Sequence, residues 1–315
     1  MKKFLKWPVL ALVIVLLSFR PIVESCKTSF EESFEEPSTT STLLAPSIGP
    51  FAETSSSSWS DSLIKTLTLD QKIGQLFMVA AWSDEKKESY NPTQIESLIK
   101  NNGIGGIIFF QGGPVRQAKL TNRFQAKSKI PLLIGIDAEW GLGMRLDSTI
   151  SFPRAMTLGA SMDEKLIYEF GKEVARECKR IGVHMNFAPV VDVNSNPKNP
   201  VISNRSFGEN ADRVTTCGMA YMKGMQENGV LANAKHFPGH GDTDVDSHKE
   251  LPVVNKNYAQ LSSNEFKPYR TMFENGLASV MVAHLSLPEF EKEAHVPSTL
   301  SKNIITGLLR DSLKF

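Results

Sequence analysis

The sequence predicts an α/β chain whose parallel strands build a (β/α)8 TIM-type barrel, truncated after about six β/α units. Three observations lead there. Short apolar runs alternate with amphipathic stretches, and strands that alternate with helices imply a parallel sheet with right-handed crossovers. The polar motifs Asp137-Ala138-Glu139, Asp192, Lys235-His236 and His284 fall at the C-terminal ends of different strand candidates, and a barrel gathers those ends into one mouth. No G-x-G-x-x-G follows the first strand candidate, which removes the main reason to prefer an open nucleotide-binding sheet.

The strand candidates are Gln75–Ala80, Gly105–Phe110, Leu132–Asp137, His184–Val193, Leu231–His236 and Ser279–Leu285, each rich in Ile, Val, Phe or Leu, as strands buried on both faces should be. Helix candidates lie between them. Thr93–Asn101 is opened by Pro92, and Val115–Ser128 follows a Gly-Gly-Pro turn. Asp163–Ile181 is long and amphipathic, Asp212–Asn228 stops at Gly229, Glu265–Asn275 stops at Gly276, and Leu300–Leu309 comes last. A helix that ends at Gly follows ordinary C-cap chemistry.

With 315 residues, 41% of them hydrophobic and 22% charged, the chain is an ordinary globular one with room for a sizeable core. Thirty-five Lys and Arg against 34 Asp and Glu leave a net charge of +1 without a basic cluster, so nucleic acid is not an expected partner. Three cysteines exclude a disulfide scaffold. Cys178 and Cys217 fall inside helix candidates and read as core thiols.

The first residues form an address. Lys2, Lys3 and Lys6 precede an apolar run from Trp7 to Phe19, shorter than the roughly 20 residues that span a bilayer and suited to a secretory signal. Residues 1–25 are therefore expected to be a signal peptide. Val23-Glu24-Ser25-Cys26 also resembles a loose lipobox that would lipidate Cys26 and attach the chain to a membrane. Residues 26–60, rich in Ser, Thr, Glu and Pro, read as a flexible tether, and residues 61–315 as the barrel. The expected location is the periplasm or outer membrane of a Gram-negative bacterium.

Lys235 to Pro252 holds the densest chemistry: His236, His240 and His248, with Asp242, Asp244 and Asp246, among turn-forming glycines and a proline. Metal binding fits poorly. Asp242, Asp244 and Asp246 imitate the opening of a calcium loop, but Ser247 replaces its Gly and Val253 its bidentate Glu. Pro238 and Gly239 forbid the helix on which His236 and His240 could share a zinc ion. A solvated loop would explain the Asp and Gly, but not three histidines. Acid–base chemistry explains more, because in Asp246-Ser247-His248 a carboxylate can orient an imidazole that titrates near neutral pH.

Lys-His-Phe-Pro-Gly-His-Gly at 235–241, followed by Asp246-Ser247-His248, resembles glycoside hydrolase family 3, and within it the bacterial β-N-acetylglucosaminidase branch. Asp137 to Arg145 is similar to the family's D-x-E-G-G-R-V-x-R segment, from which Trp140, Leu142 and Gly143 depart. His184 to Val193 resembles its N-x-A-P-V-x-D-V strand, and Asn204 to Gly208 its R-S-F-G segment. The resemblance implies a retaining β-N-acetylhexosaminidase acting on terminal β-linked N-acetylglucosamine of peptidoglycan fragments or chitin-type oligosaccharides. It makes Asp137 the carboxylate that holds two sugar hydroxyls, and assigns the other hydroxyls to Arg145, Arg205, Lys235 and His236. His248 becomes the general acid/base and Asp246 its orienting partner, with no metal and no cofactor. His184, His240 and His284 match no such role and are expected to be structural. The family's nucleophile, an Asp after a seventh strand, is expected beyond Phe315; Asp311 does not match it, so the 315 residues alone are expected to hydrolyse little. A β-glucosidase, β-xylosidase or phosphorylase of the same family, and a non-catalytic sugar-binding protein, are the competing readings.

Overall fold

A computed structural model describes residues 58–247, 250–293 and 295–315. The signal and lipobox readings, most of the tether and His248 lie outside these residues. Helix α1 (Ser58–Thr66) begins inside the stretch read as tether.

Six parallel strands form one curved sheet in sequence order: β1 (Met78–Ala81), β2 (Gly106–Phe109), β3 (Leu133–Ile136), β4 (Met185–Asn186), β5 (Leu231–Phe237) and β6 (Ser279–Val282). All six strand candidates are present. Among the described residues β1 and β6 each pair on one side only, so the barrel is not closed.

The helices follow their local signals. After α2 (Leu69–Gly74), α3 (Pro92–Asn102) opens with Asn91 accepting from the Gln94 N–H and Pro at its first position. Next come α4 (Pro114–Gln125), α5 (Ala155–Ala160) and α6 (Glu164–Arg180), the last capped by Asp163. Asn210 caps α7 (Ala211–Gln226), and a capping box of Asn257 and Gln260 opens α8 (Tyr258–Ser263) ahead of α9 (Phe266–Glu274). The final stretch is a π-helix, Asn303–Ser312, entered through a 3-10 turn at Ser298–Leu300. It starts three residues later than the sequence suggests, because Ser301 Oγ accepts from the Ile304 N–H.

Two apolar layers sandwich the sheet. Outward residues, including Ile107, Phe109, Ile134, Ile136, Ala232 and Ala234, join the helices in a large buried cluster. Inward residues fill the barrel: Ile108, Met185 and Phe187 are buried there, with Met78, Ala80, Phe110, Leu133, Leu231 and Met281 packed against them and partly exposed. Side chains alternate across a strand, so 133 and 135 on β3 and 137 just past its end, like 231, 233 and 235 on β5, share the inward face. That parity carries Asp137 and Lys235 into the mouth. Outside the sheet α6 and α7 pack closely at paired glycines, since a Cβ on Gly224 would lie 2.2 Å from the Tyr168 carbonyl oxygen.

Two register slips shape the mouth. β4 is far shorter than the expected His184–Val193. Past Asn186 the chain takes an extra residue, so that Met185 faces Leu231 but Val190 faces Lys235, and Pro189 has no N–H for the ladder. On β5, Lys235 faces Met281 and Phe237 faces Val282, which leaves His236 bulged between them. A bulge re-aims a side chain, and here it turns His236 toward the segment after β4.

Candidate active site

Asp137 and Glu139 stand just past β3, on a backbone that is held from both sides. The buried Asn186 side chain accepts from the Ala138 N–H at 2.9 Å and donates to the Ala138 carbonyl at 3.1 Å. The buried Tyr221 hydroxyl donates to the same carbonyl at 3.1 Å. Both carboxylates are thereby fixed relative to the sheet.

Three cations meet them. Lys235 Nζ, only 2% exposed, lies 2.8 Å from Asp137 and 2.8 Å from Glu139. Arg145 donates to the other Asp137 oxygen at 2.8 Å, with its guanidinium 4.8 Å from the centre of the Phe110 ring. Phe110 in turn stacks on Trp82. Arg205 grips Glu139 with Nε at 3.0 Å and Nη2 at 2.7 Å, a bidentate fork of the kind that fixes direction as well as distance. Burial pushes the pKa values of Asp137 and Glu139 upward, but the facing Lys235 and arginines outweigh it and hold both below the ordinary carboxylate range.

His236 closes the circle. Its Nδ1 is 2.6 Å from the buried Asp192, and its Nε2 is 3.4 Å from Arg205 Nη2. A guanidinium only donates, so Nε2 accepts and Nδ1 carries the proton toward Asp192. Burial lowers the His236 pKa to about 4 against the pull of Asp192, so the ring is neutral at pH 7. Asp192 itself is held below the normal carboxylate range: burial opposes its charge, but His236 and the His240 backbone N–H, a donor at 2.7 Å, outweigh it. Three carboxylates against Lys235, Arg145 and Arg205 leave the cluster with no net charge. It presents both donors and acceptors to the mouth, as a neutral polyhydroxylated ligand requires.

Asp137, Arg145, Arg205, Lys235 and His236 are thus brought together. Sequence reasoning placed Glu139 and Asp192 at strand ends without giving them a role, yet Glu139 holds Lys235 and Arg205, and Asp192 holds His236 and the His240 N–H. The D-x-E spacing and the Asp192 strand end were the available signals. Asp246 lies on the limb that leads away from β5, where its carbonyl accepts from the Glu250 N–H; the pairing expected with His248 falls outside the described residues. Asp242 pairs with Lys256 at 2.7 Å and Asp244 accepts from Asn196 at 2.6 Å, so these carboxylates turn to separate partners. No group among the described residues could hold a metal ion.

The remaining histidines divide. His184 Nδ1 accepts from the Ile134 N–H at 3.0 Å, and His284 Nδ1 lies 2.8 Å from the Thr299 hydroxyl. His240, expected to be structural, is tied into the site through Asp192. Cys178 and Cys217 are free and buried, and burial pushes their thiols up to about 12 and about 11.

Residues 68–315 match the family model described as glycosyl hydrolase family 3 N terminal domain. A β-hexosaminidase A of Pseudoalteromonas piscicida is 35% identical over 283 residues, covering 79% of this chain and 47% of that protein. Among solved structures, a family 3 β-N-acetylglucosaminidase from a Paenibacillus strain superimposes with a TM-score of 0.72 at 40% identity, over 79% of this chain and 48% of that one. The β-glucoside phosphorylase BglX superimposes with a TM-score of 0.76 at 28% identity, over 82% of this chain and 47% of that one. The chain spans about half the length of these relatives.

Proposed function

The chain belongs to glycosyl hydrolase family 3, and from that premise we propose that it works as a retaining β-N-acetylhexosaminidase. The observation that carries the reading is the charge-neutral cluster of Asp137, Glu139 and Asp192 with Arg145, Arg205 and Lys235, joined by His236, at the mouth. Asp137, held between Lys235 and Arg145 at 2.8 Å each, has a fixed orientation in which its oxygens can accept from two sugar hydroxyls. Arg145, Arg205, Lys235 and His236 serve the others. The general acid is His248, oriented by Asp246. It protonates the leaving oxygen while a carboxylate from a seventh strand, following Phe315, attacks the anomeric carbon; His248 then returns as base for water.

The β-hexosaminidase and β-N-acetylglucosaminidase names of the relatives favour N-acetylglucosamine at the non-reducing end, as found in muropeptides and chitin-type oligosaccharides. The leading residues support export to the periplasm or outer membrane, with Cys26 as a lipidation site, and the intact mass of the N-terminal fragment from native cells reports that modification. Phosphorolysis is the second reading. It is favoured by the phosphorylase likeness, and a neutral imidazole acid would not repel phosphate as a carboxylate would.

The test is initial rates of the full-length protein on aryl N-acetyl-β-glucosaminide, β-glucoside and β-xyloside, with and without inorganic phosphate. The expected result is a preference for the N-acetylglucosaminide, a free sugar as product and rates independent of phosphate. A preferred glucoside or xyloside, or a glycosyl phosphate product, would overturn it.

A further inference from the structure

We propose that His240 is a positioning residue that pins the limb 242–247, and with it Asp246, to the floor of the mouth. The inference rests on the hexosaminidase reading above, in which this limb carries the acid–base pair. His240 is 1% exposed, and both ring nitrogens are engaged: Nδ1 lies 2.7 Å from Thr243 Oγ1, and Nε2 lies 2.9 Å from Ser247 Oγ. Ser247 is the immediate neighbour of Asp246, so the second contact fixes the limb where the chemistry is placed.

The backbone of His240 makes the same residue a junction. Its N–H donates to Asp192, the partner of His236, at 2.7 Å. Its carbonyl accepts from the buried Asn199 side chain at 2.7 Å. Asn199 also accepts from the N–H groups of Val201 and Ile202 at 2.9 and 2.8 Å, immediately before the turn Ser203–Arg205. The pieces that hold the sugar-binding cluster and the piece that carries Asp246 therefore share one anchor. The approach is close, because a Cβ on the next residue, Gly241, would lie 1.8 Å from the Val193 carbonyl oxygen.

Histidine suits the place chemically. A neutral imidazole offers one donor and one acceptor on opposite sides of the ring, and Ser and Thr hydroxyls can play either part, so both bonds are satisfied in either tautomer. The limb has a second anchor at its base, where Lys256 bridges Asp242 at 2.7 Å and the buried Glu265 at 2.6 Å. Loss of the Ser247 contact would loosen the tip and leave the base in place. A displacement of about 1 Å at a catalytic group can cost as much as about a hundredfold in rate.

The test compares Ser247→Ala, His240→Asn and His240→Gln in the full-length protein, with folding checked by thermal melts. The Asn amide nitrogen falls near Nδ1 and can keep only Thr243, whereas the Gln amide falls near Nε2 and can keep Ser247. The readout is kcat/KM, which reports the first chemical step, on a phenyl and on a dinitrophenyl N-acetyl-β-glucosaminide. The phenolate needs a proton to leave and the dinitrophenolate does not. Expected is a loss of about tenfold on the phenyl glycoside for Ser247→Ala and His240→Asn, the factor for one hydrogen bond, with the dinitrophenyl rate and the Gln variant close to wild type. Equal losses on both glycosides, or Gln no better than Asn, in an active wild-type background would overturn the role of His240 alone. A wild type that cleaves neither glycoside would overturn the hexosaminidase reading, and this inference with it.

Discussion

Replacing Lys235 with Met should unbalance the mouth in a way that can be measured without substrate. The ammonium is 2% exposed and touches Asp137 and Glu139 at 2.8 Å each. Removing one member of a buried ion pair costs about 3–5 kcal/mol, mostly because the remaining charge is left uncompensated. Here each carboxylate keeps an arginine, Arg145 for Asp137 and Arg205 for Glu139, which places the loss near the lower end, about 3 kcal/mol. For a domain of this size that lowers Tm by about 6–12 °C. Glu139→Gln in the same chain removes the surplus charge and should recover roughly half of the loss, a coupling that a double-mutant cycle at pH 7 reads directly. A Lys235→Met cost below about 1 kcal/mol, or strict additivity with Glu139→Gln, would refute the claim that this lysine holds two buried carboxylates together.

Acid should destabilise the protein in two overlapping stages. The His236 pKa falls from its ordinary 6.5 to about 4 on folding, so the unfolded chain binds the extra proton and stability is lost as pH drops through that interval. The depressed carboxyls of Asp137, Glu139 and Asp192 contribute stability that is full above the ordinary carboxylate range and lost below it; His236→Gln should flatten only the upper stage of a Tm-against-pH curve. Asn186→Leu leaves the Ala138 N–H without its 2.9 Å acceptor and should cost about 1–3 kcal/mol in urea melts. With thiols raised to about 12 and about 11, Cys178 and Cys217 should resist a thiol reagent at pH 8 until the chain is unfolded. Gly224→Ala, which meets the Tyr168 carbonyl at 2.2 Å, should lower stability by about 1–3 kcal/mol through overpacking.

The alternation of strands and helices is readable because buried parallel strands are apolar runs and the longer helices carry start signals such as Pro92 and Asp163. Asp137 and Lys235 are readable too, since each continues the inward parity of its strand to the C-terminal end. His236 is readable from the motif but not from parity, which sends it outward; only the bulge against Met281 and Val282 turns it to Asp192. The short β4 escapes a propensity reading for a similar reason. His184 to Val193 is apolar throughout, but the slip between Met185 and Val190 depends on how the chain meets β5. Helix α8 was within reach through the Asn257-x-x-Gln260 capping box, whereas α5 has no side-chain cap bond to announce it. Glu139 acquires its importance from a partner distant in sequence, Arg205, and the backbone of His240 is tied to the site by the equally distant Asp192.

The most direct test of the central claim is kcat/KM of full-length wild type and His248→Ala on an aryl N-acetyl-β-glucosaminide. The Asp246–His248 reading predicts clear turnover by the wild type and a loss of about a hundredfold to ten-thousandfold in the variant, the usual contribution of a positioned acid–base group. A variant as active as the wild type would contradict it and assign the acid to another residue. A wild type that binds N-acetylglucosamine without cleaving the glycoside would contradict the enzyme itself and leave a sugar-binding protein.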